Sequence, residues 1–273
     1  MTVKTISILG CGWLGLPLAD SFLADHIEVR GSATSLPKTE ILKAHGIEPF
    51  IIDLANVELD ELKRFIDADV LIVAVPPRSR KQDPQLYTTQ IRNLVDLISQ
   101  VDALKHVIYT SSTSVYKDMP GLVREEDVLD VSQAMNKDLF EVEQLFLAMP
   151  HKKVSILRLG GLTGGTRMLA KHFAGRTAIP AGLCPVNLVH VEDVIAAIRF
   201  VVAHELEGIF NVCAPSHPSK KDFYTHLCMR FELDNPEFDA GDLTVGKTVD
   251  SIKLLAKGYQ YTYPDPSGFT YEF

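Results

Sequence analysis

The chain has 273 residues, 46% of them hydrophobic and 23% charged, with a formal net charge of -8 at pH 7. That length suits one large domain or a nucleotide-binding domain with a smaller appendage, and the composition is that of an ordinary soluble globule with ample core. The acidic balance excludes a general nucleic-acid or acidic-membrane binder, which would need a basic face. Cys11, Cys184, Cys213 and Cys228 show no metal-like pairing and read as reduced cytosolic thiols, so no metal site is expected.

An apolar run over 6–9 meets Gly10-Cys11-Gly12-Trp13-Leu14-Gly15 and then a helical stretch over 16–25. Strand, glycine turn and helix in that order make a dinucleotide phosphate site. Gly10 allows a sharp turn, Gly12 removes a side chain where a pyrophosphate approaches, and Gly15 lets helix and strand pack closely. The helix N-terminus, opening near Trp13 and Leu14, offers N–H groups and partial positive charge to the anion. Methyltransferases use related loops for a non-phosphate ligand, and Trp13 serves equally as core packing. Three glycines and a proline distinguish this stretch from a signal peptide, and no run is long enough to span a bilayer, so the expected location is cytoplasmic.

Further apolar runs over 28–30, 49–52, 70–75, 106–110 and 155–159 alternate with helical patterns over 38–45 and 86–98. The alternation predicts an α/β fold, a Rossmann-type doubly wound parallel sheet with helices on both faces. Beyond Gly161 the pattern loosens into a helix over 191–202, a strand over 208–213 and helices over 220–230 and 249–257. Glu192 and Asp193 in a first helical turn match the helix dipole. The expected domains are a dinucleotide-binding domain over 1–160 and a smaller mixed α/β substrate region over 161–273. Segments near 186–213 are expected to pack back on the first.

Four segments in order, the glycine loop, Thr110-Ser111-Ser112-Thr113-Ser114-Val115-Tyr116, 157–164 and 187–194, resemble the extended short-chain dehydrogenase/reductase superfamily, which contains the NAD-dependent epimerases and dehydratases. The form Gly-Cys-Gly-Trp-Leu-Gly-Leu-Pro-Leu-Ala, with Asn211-Val212-Cys213-Ala214-Pro215 and Tyr263-Pro264-Asp265-Pro266, resembles its atypical YeeZ-like branch. The resemblance implies that Ser112 holds a substrate hydroxyl or carbonyl and that Lys137 completes a Tyr-x-x-x-Lys pair and contacts the nicotinamide ribose. Gln133 stands where that tyrosine is expected. An amide neither gains nor loses a proton in the usable range, so the usual relay is absent. Either Tyr116 supplies the proton, or the reaction needs little acid catalysis, or the dinucleotide binds without turnover. Gly161 and Thr163 replace the family's asparagine and tyrosine near Arg158, which weakens transfer of a nucleotide-sugar substrate.

Cofactor choice is read at the end of the second strand, where NAD-preferring proteins carry an acid. Ser32, Thr34 and Ser35 stand there, with Lys38 adding charge, which favours NADP over NAD; the alternative is a hydroxyl-rich turn capping the next helix. Asp53 resembles the adenine-contacting acid or is a turn residue. Val75 and Pro76 close the fourth strand at the ligand edge of the sheet. Arg78 and Arg80, with Lys81, and Arg167 farther on, are candidates for a substrate or cofactor anion or belong to solvated loops. His190 reads as a structural residue at a helix start, and nothing pairs His172 or His217 with a nucleophile.

The expected protein is an NAD(P)-binding oxidoreductase or epimerase/dehydratase-like enzyme acting on a small hydroxyl- or carbonyl-bearing substrate, anionic or sugar-like. The alternatives are a non-catalytic NAD(P)-sensing regulator and a prephenate-type Rossmann dehydrogenase, the latter suggested by Ala74-Val75-Pro76-Pro77 and opposed by the mixed C-terminal pattern. The resemblance also implies a homodimer through helices over 86–98 and 132–149, whose apolar faces serve equally as internal core.

Overall fold

A computed structural model describes residues 3–56, 58–76 and 84–272. The first half alternates strictly: β1 Thr5–Leu9, α1 Gly15–Leu23, β2 Glu28–Ala33, α2 Leu36–Ala44, β3 Glu48–Ile51, α3 Leu59–Ile66, β4 Val70–Val73, α4 Pro84–Ile98 and β5 His106–Ser112. Then come β6 Gly121–Val123, α5 Lys137–Leu147, β7 Lys153–Leu159, β8 Gly161–Thr163, β9 Leu188–His190 and α6 Val191–Ala203. The chain closes with β10 Gly208–Val212, α7 Lys220–Arg230, β11 Lys247–Val249 and α8 Ile252–Ala256.

Seven strands form one sheet in the order β10-β7-β5-β4-β1-β2-β3. It is a doubly wound parallel sheet with flanking helices, the expected α/β class. β1 pairs in parallel with both β2 and β4, so the strand order reverses around it and a crevice opens past its carboxyl end, where ligands bind in such sheets. All four residues of β4 are fully buried, as a strand covered on both faces requires.

Several boundaries differ from the sequence expectation, among them the start of α5, expected at 132 and found at Lys137. β2 runs on to Ala33 instead of ending at Arg30. Gly31 is a point of close approach within the strand, not a turn: a Cβ there would lie 2.7 Å from Ile47 Cγ2 and 2.8 Å from Cys11 Sγ. β4 stops at Val73, although the Ala74 amide still bonds Leu9 O at 2.8 Å, and Pro76 has no N–H with which to continue the ladder. The helix expected over 249–257 divides into β11, paired with β6, and the five-residue α8. α3 was not foreseen; its short inner face consists of Leu62, Phe65 and Ile66.

The chain folds as two compact units with interleaved segments. One comprises Met1–Ser111, Lys137–Leu157 and Ile198–Ile209; the other comprises Ser112–Asn136, Arg158–Ala197 and Phe210–Phe273. In the first unit α1 packs on β1 and β2, α2 on β2 and β3, and α4 on α5. The second is built around Ala170, Ala214, Phe223, Leu227, Cys228 and Phe269, with two small parallel sheets, β6 with β11 and β8 with β9. No helix among the described residues is long and apolar enough to cross a membrane.

Candidate dinucleotide site

The three glycines after β1 have different physical grounds. Gly10 has φ +104°, and a Cβ on it would lie 2.8 Å from Val75 Cγ1 and 3.0 Å from Ala74 O. At Gly15 a Cβ would fall 2.2 Å from Gly10 O, so only hydrogen lets α1 start against the turn. Gly12 is constrained by neither. It is exposed, its φ lies outside the left-handed region, and a Cβ would meet nothing within 4 Å. The turn is closed by Gly12 N donating to Gly10 O at 2.9 Å, and Leu14 caps α1 with Trp13 half-buried beside it.

Beside this loop, past the ends of β1 and β4, lies a cavity of about 120 Å³ whose walls include Thr34, Ile52, Asp53, Val75, Pro76 and Tyr87. It is small, and its lining mixes apolar side chains with a few polar groups, as ligand-binding clefts do. Tyr87 was missed from sequence, as was Gln90, which also lines the cavity. The available signal was the spacing of Tyr87 and Ile91 on one face of α4. The Tyr87 hydroxyl donates to Val75 O at 2.8 Å and so accepts from Tyr109 at 3.3 Å; burial pushes its phenol up to about 12. Asp53 Oδ1 accepts from Ala55 N at 3.1 Å.

Ser32 lies elsewhere than expected. It is an internal residue of β2, 3% exposed, and its hydroxyl accepts from Gly10 N at 2.8 Å, which turns it toward the glycine loop. Thr34 and Lys38 are exposed, the latter on α2. Arg78, Arg80 and Lys81 lie outside the described residues.

The second unit holds most of the catalytic candidates. Ser112 Oγ accepts from Ser114 N at 3.1 Å, capping a short 3-10 turn. Tyr116 is 1% exposed and donates to Asn211 Oδ1 at 2.6 Å while accepting from Arg158 Nη1 at 3.0 Å. Arg158 is fully buried and also donates to Glu125 O at 3.2 Å, and Glu125 Oε1 in turn accepts from Asn211 N at 2.7 Å. Burial pushes the Tyr116 phenol up to about 12, which suits a structural partner better than a proton donor working near neutrality.

Gln133 is exposed and lies in a turn, and its Oε1 accepts from Leu129 N at 2.7 Å and Asp130 N at 3.2 Å. α5 begins only at Lys137, which is itself exposed. Arg167 is exposed at a tight bridge, where Gly164 N bonds Arg167 O at 3.1 Å. His190 is a core residue. Its Nε2 contacts Thr270 O at 3.1 Å, its ring lies 4.0 Å from that of Tyr263, and a Cβ on Gly164 would come within 2.2 Å of it. No group of metal-binding side chains occurs among the described residues.

Over 274 residues the chain is 36% identical to protein YeeZ of Escherichia coli strain K12, covering 97% of this chain and 98% of YeeZ. The chain belongs to the YeeZ-like branch of the NAD-dependent epimerase/dehydratase family. A Methylobacillus flagellatus structure, provisionally assigned as an NAD-dependent epimerase/dehydratase, matches this YeeZ-like chain with 25% identity and TM-score 0.76, covering 97% of this chain and 95% of that one. UDP-glucuronic acid 4-epimerase from Bacillus cereus, in complex with NAD, matches with TM-score 0.76 at 20% identity, covering 97% and 93%, a likeness of fold. No family model matches the chain. Within the branch, Asn211 and the Tyr263-Pro264-Asp265-Pro266 segment have structural anchors. Asn211 Nδ2 donates to Asp250 O at 2.8 Å, and the buried Asp193 carboxylate accepts from Thr262 N at 2.7 Å and Tyr263 N at 3.0 Å.

Proposed function

We propose that this YeeZ-like protein binds NAD and uses it in epimerase- or dehydratase-type chemistry on a small hydroxyl- or carbonyl-bearing substrate. Gly12 carries the reading. Neither its backbone angle nor its packing calls for glycine, yet it keeps the exposed surface of the loop after β1 bare of a side chain. A side chain there would stand where a diphosphate has to approach the loop. The turn from Gly10 to Gly15 would receive that diphosphate, aided by the first amides of α1, and Asp53 and Thr34 would face the adenosine portion.

When bound, the dinucleotide supplies reversible hydride transfer. Ser112 would orient the substrate oxygen, and Lys137 would contact the nicotinamide ribose, as the resemblance implies. Arg167, exposed after β8, would contribute positive charge toward a substrate anion. The replacements at Gly161 and Thr163 favour a small substrate over a nucleotide sugar. Withdrawal of Ser32 beneath the loop weakens the case for NADP, leaving Thr34, Ser35 and Lys38 for a 2'-phosphate, and the Asp53 carboxylate in the cavity wall would repel one. A homodimer would use the outer faces of α4 and α5, because the stripe Ile91, Leu94, Val95 and Ile98 is buried within the chain.

A second reading, a cofactor-sensing protein without turnover, is favoured by Gln133, whose side chain is committed to a turn. Calorimetry with NADH and NADPH tests the first proposal. Micromolar binding, tighter for NADH, is expected; tighter NADPH binding reverses the cofactor choice, and no binding of either to folded, cofactor-free protein overturns the reading. Hydride transfer across a panel of alcohols, aldehydes and sugars then separates enzyme from sensor.

A further inference from the structure

We infer that Ser32 is a positioning residue whose hydroxyl holds the glycine turn in the form that receives a diphosphate. The inference rests on the dinucleotide reading above. Ser32 grips two successive amides: Gly10 N donates to its Oγ at 2.8 Å, and Cys11 N donates to its main-chain O at 3.0 Å. Any residue at position 32 could make the second bond. The first needs an acceptor one atom beyond Cβ, so it depends on this side chain.

The same point of the loop is fixed from the opposite side. Gly10 sits so close to Val75 that a Cβ would lie 2.8 Å from Val75 Cγ1, and the Val75 carbonyl is held by the Tyr87 hydroxyl at 2.8 Å. Gly10, at φ +104°, is thus held in a conformation that glycine alone enters readily, between β2 and the end of β4. Ser32 is 3% exposed and Gly10 half-buried, so loss of the hydroxyl takes from the Gly10 amide its protein partner at a part-buried position. The loop then gains by leaving the turn, and a diphosphate binds only the fraction that keeps it. Apparent affinity falls in proportion to that fraction. The adenosine end is spared, because Ile52, Asp53 and Tyr87 make none of these bonds to Ser32. Ser32 therefore acts through Gly10 and not by touching a 2'-phosphate.

The test is calorimetric titration of wild type, Ser32→Ala and Ser32→Cys with ADP-ribose, alongside competition by adenosine and a thermal melt of each protein. Ser32→Cys keeps the side-chain shape while offering a poor acceptor, so it answers the question should the alanine variant fold badly. Both variants are expected to lose about tenfold in ADP-ribose affinity while adenosine changes by less than about twofold. Ser32→Cys binding ADP-ribose as wild type does would overturn the role. So would equal weakening of both ligands, which marks a general structural defect. Wild type failing to bind ADP-ribose at all would overturn the dinucleotide reading, and this inference with it.

Discussion

At the scale of single residues, the glycine loop separates constraint by the fold from constraint by a ligand. Gly15→Ala drives a methyl to 2.2 Å from a backbone oxygen, contact that no side-chain movement can relieve. We expect that variant to lose about 3 kcal/mol or more in urea unfolding. Gly12→Ala meets open space and an ordinary φ, so its stability should stay within about 1 kcal/mol of wild type, on the favourable side. Its affinity for NADH should nevertheless fall at least about tenfold by calorimetry, through a methyl placed against the diphosphate. Retained affinity in Gly12→Ala would argue for a ligand that approaches elsewhere. The pattern Gly-x-Gly-x-x-Gly and a separate role for each glycine were legible in the sequence, but the atoms that impose them, Val75 at Gly10, Gly10 O at Gly15 and empty space at Gly12, were not.

The main lesson at the scale of elements concerns the segment before α5. Four-residue spacing from Gln133 to Lys137 reads as one helical turn in the sequence, yet the helix begins at Lys137 and the preceding residues form a turn. The Gln133 side-chain oxygen organises that turn through the Leu129 and Asp130 amides. Side chain to backbone bonds of this kind compete with helix formation. Gln133→Tyr is therefore expected to give no reductase activity on a broad substrate panel and to lose about 1 kcal/mol in urea unfolding, similar to Gln133→Ala. A gain of turnover would instead show that the absent phenol was all the site lacked. Strand β2 carries the complementary lesson. Gly31-Ser32 looks like turn chemistry, but tight packing against Ile47 and Cys11 keeps the segment extended and buries the serine that seemed ready for a 2'-phosphate.

For the molecule as a whole, buried titratable groups set the response to pH. His106 is 1% exposed and its Nε2 lies 2.8 Å from Ser155 Oγ, which donates to Leu206 O, so the imidazole carries its proton on Nε2 and is neutral. Burial, then the nearby Lys153, lowers it to about 4. Between its ordinary value and about 4 the unfolded chain binds a proton that the folded chain refuses, so stability present above that window is lost as pH falls through it. The loss is at most roughly 3 kcal/mol. Burial raises Asp193 and Glu125, and their contribution has the opposite sense, declining as pH rises through their raised values. Urea unfolding at pH 7 and pH 4.5 should show the fall in wild type and a flatter response in His106→Gln. Parallel curves for the two proteins would remove His106 as the cause.

The sequence by itself determined the class of fold, because buried parallel strands need continuous apolar runs and their crossovers need helical periodicity. It also located the phosphate loop, whose geometry is local to six residues. Tertiary structure decided what distant residues do to one another. Ser32 was brought under Gly10, Tyr87 against Val75, Asn211 onto Tyr116, and Asp193 onto the amides of Thr262 and Tyr263. Each of these side chains has several uses compatible with its sequence neighbours, and one was selected by a partner at least 12 residues away. Hydrogen bonding in a buried site is satisfied in space, so its assignments follow the packing of the strands rather than the order of the chain.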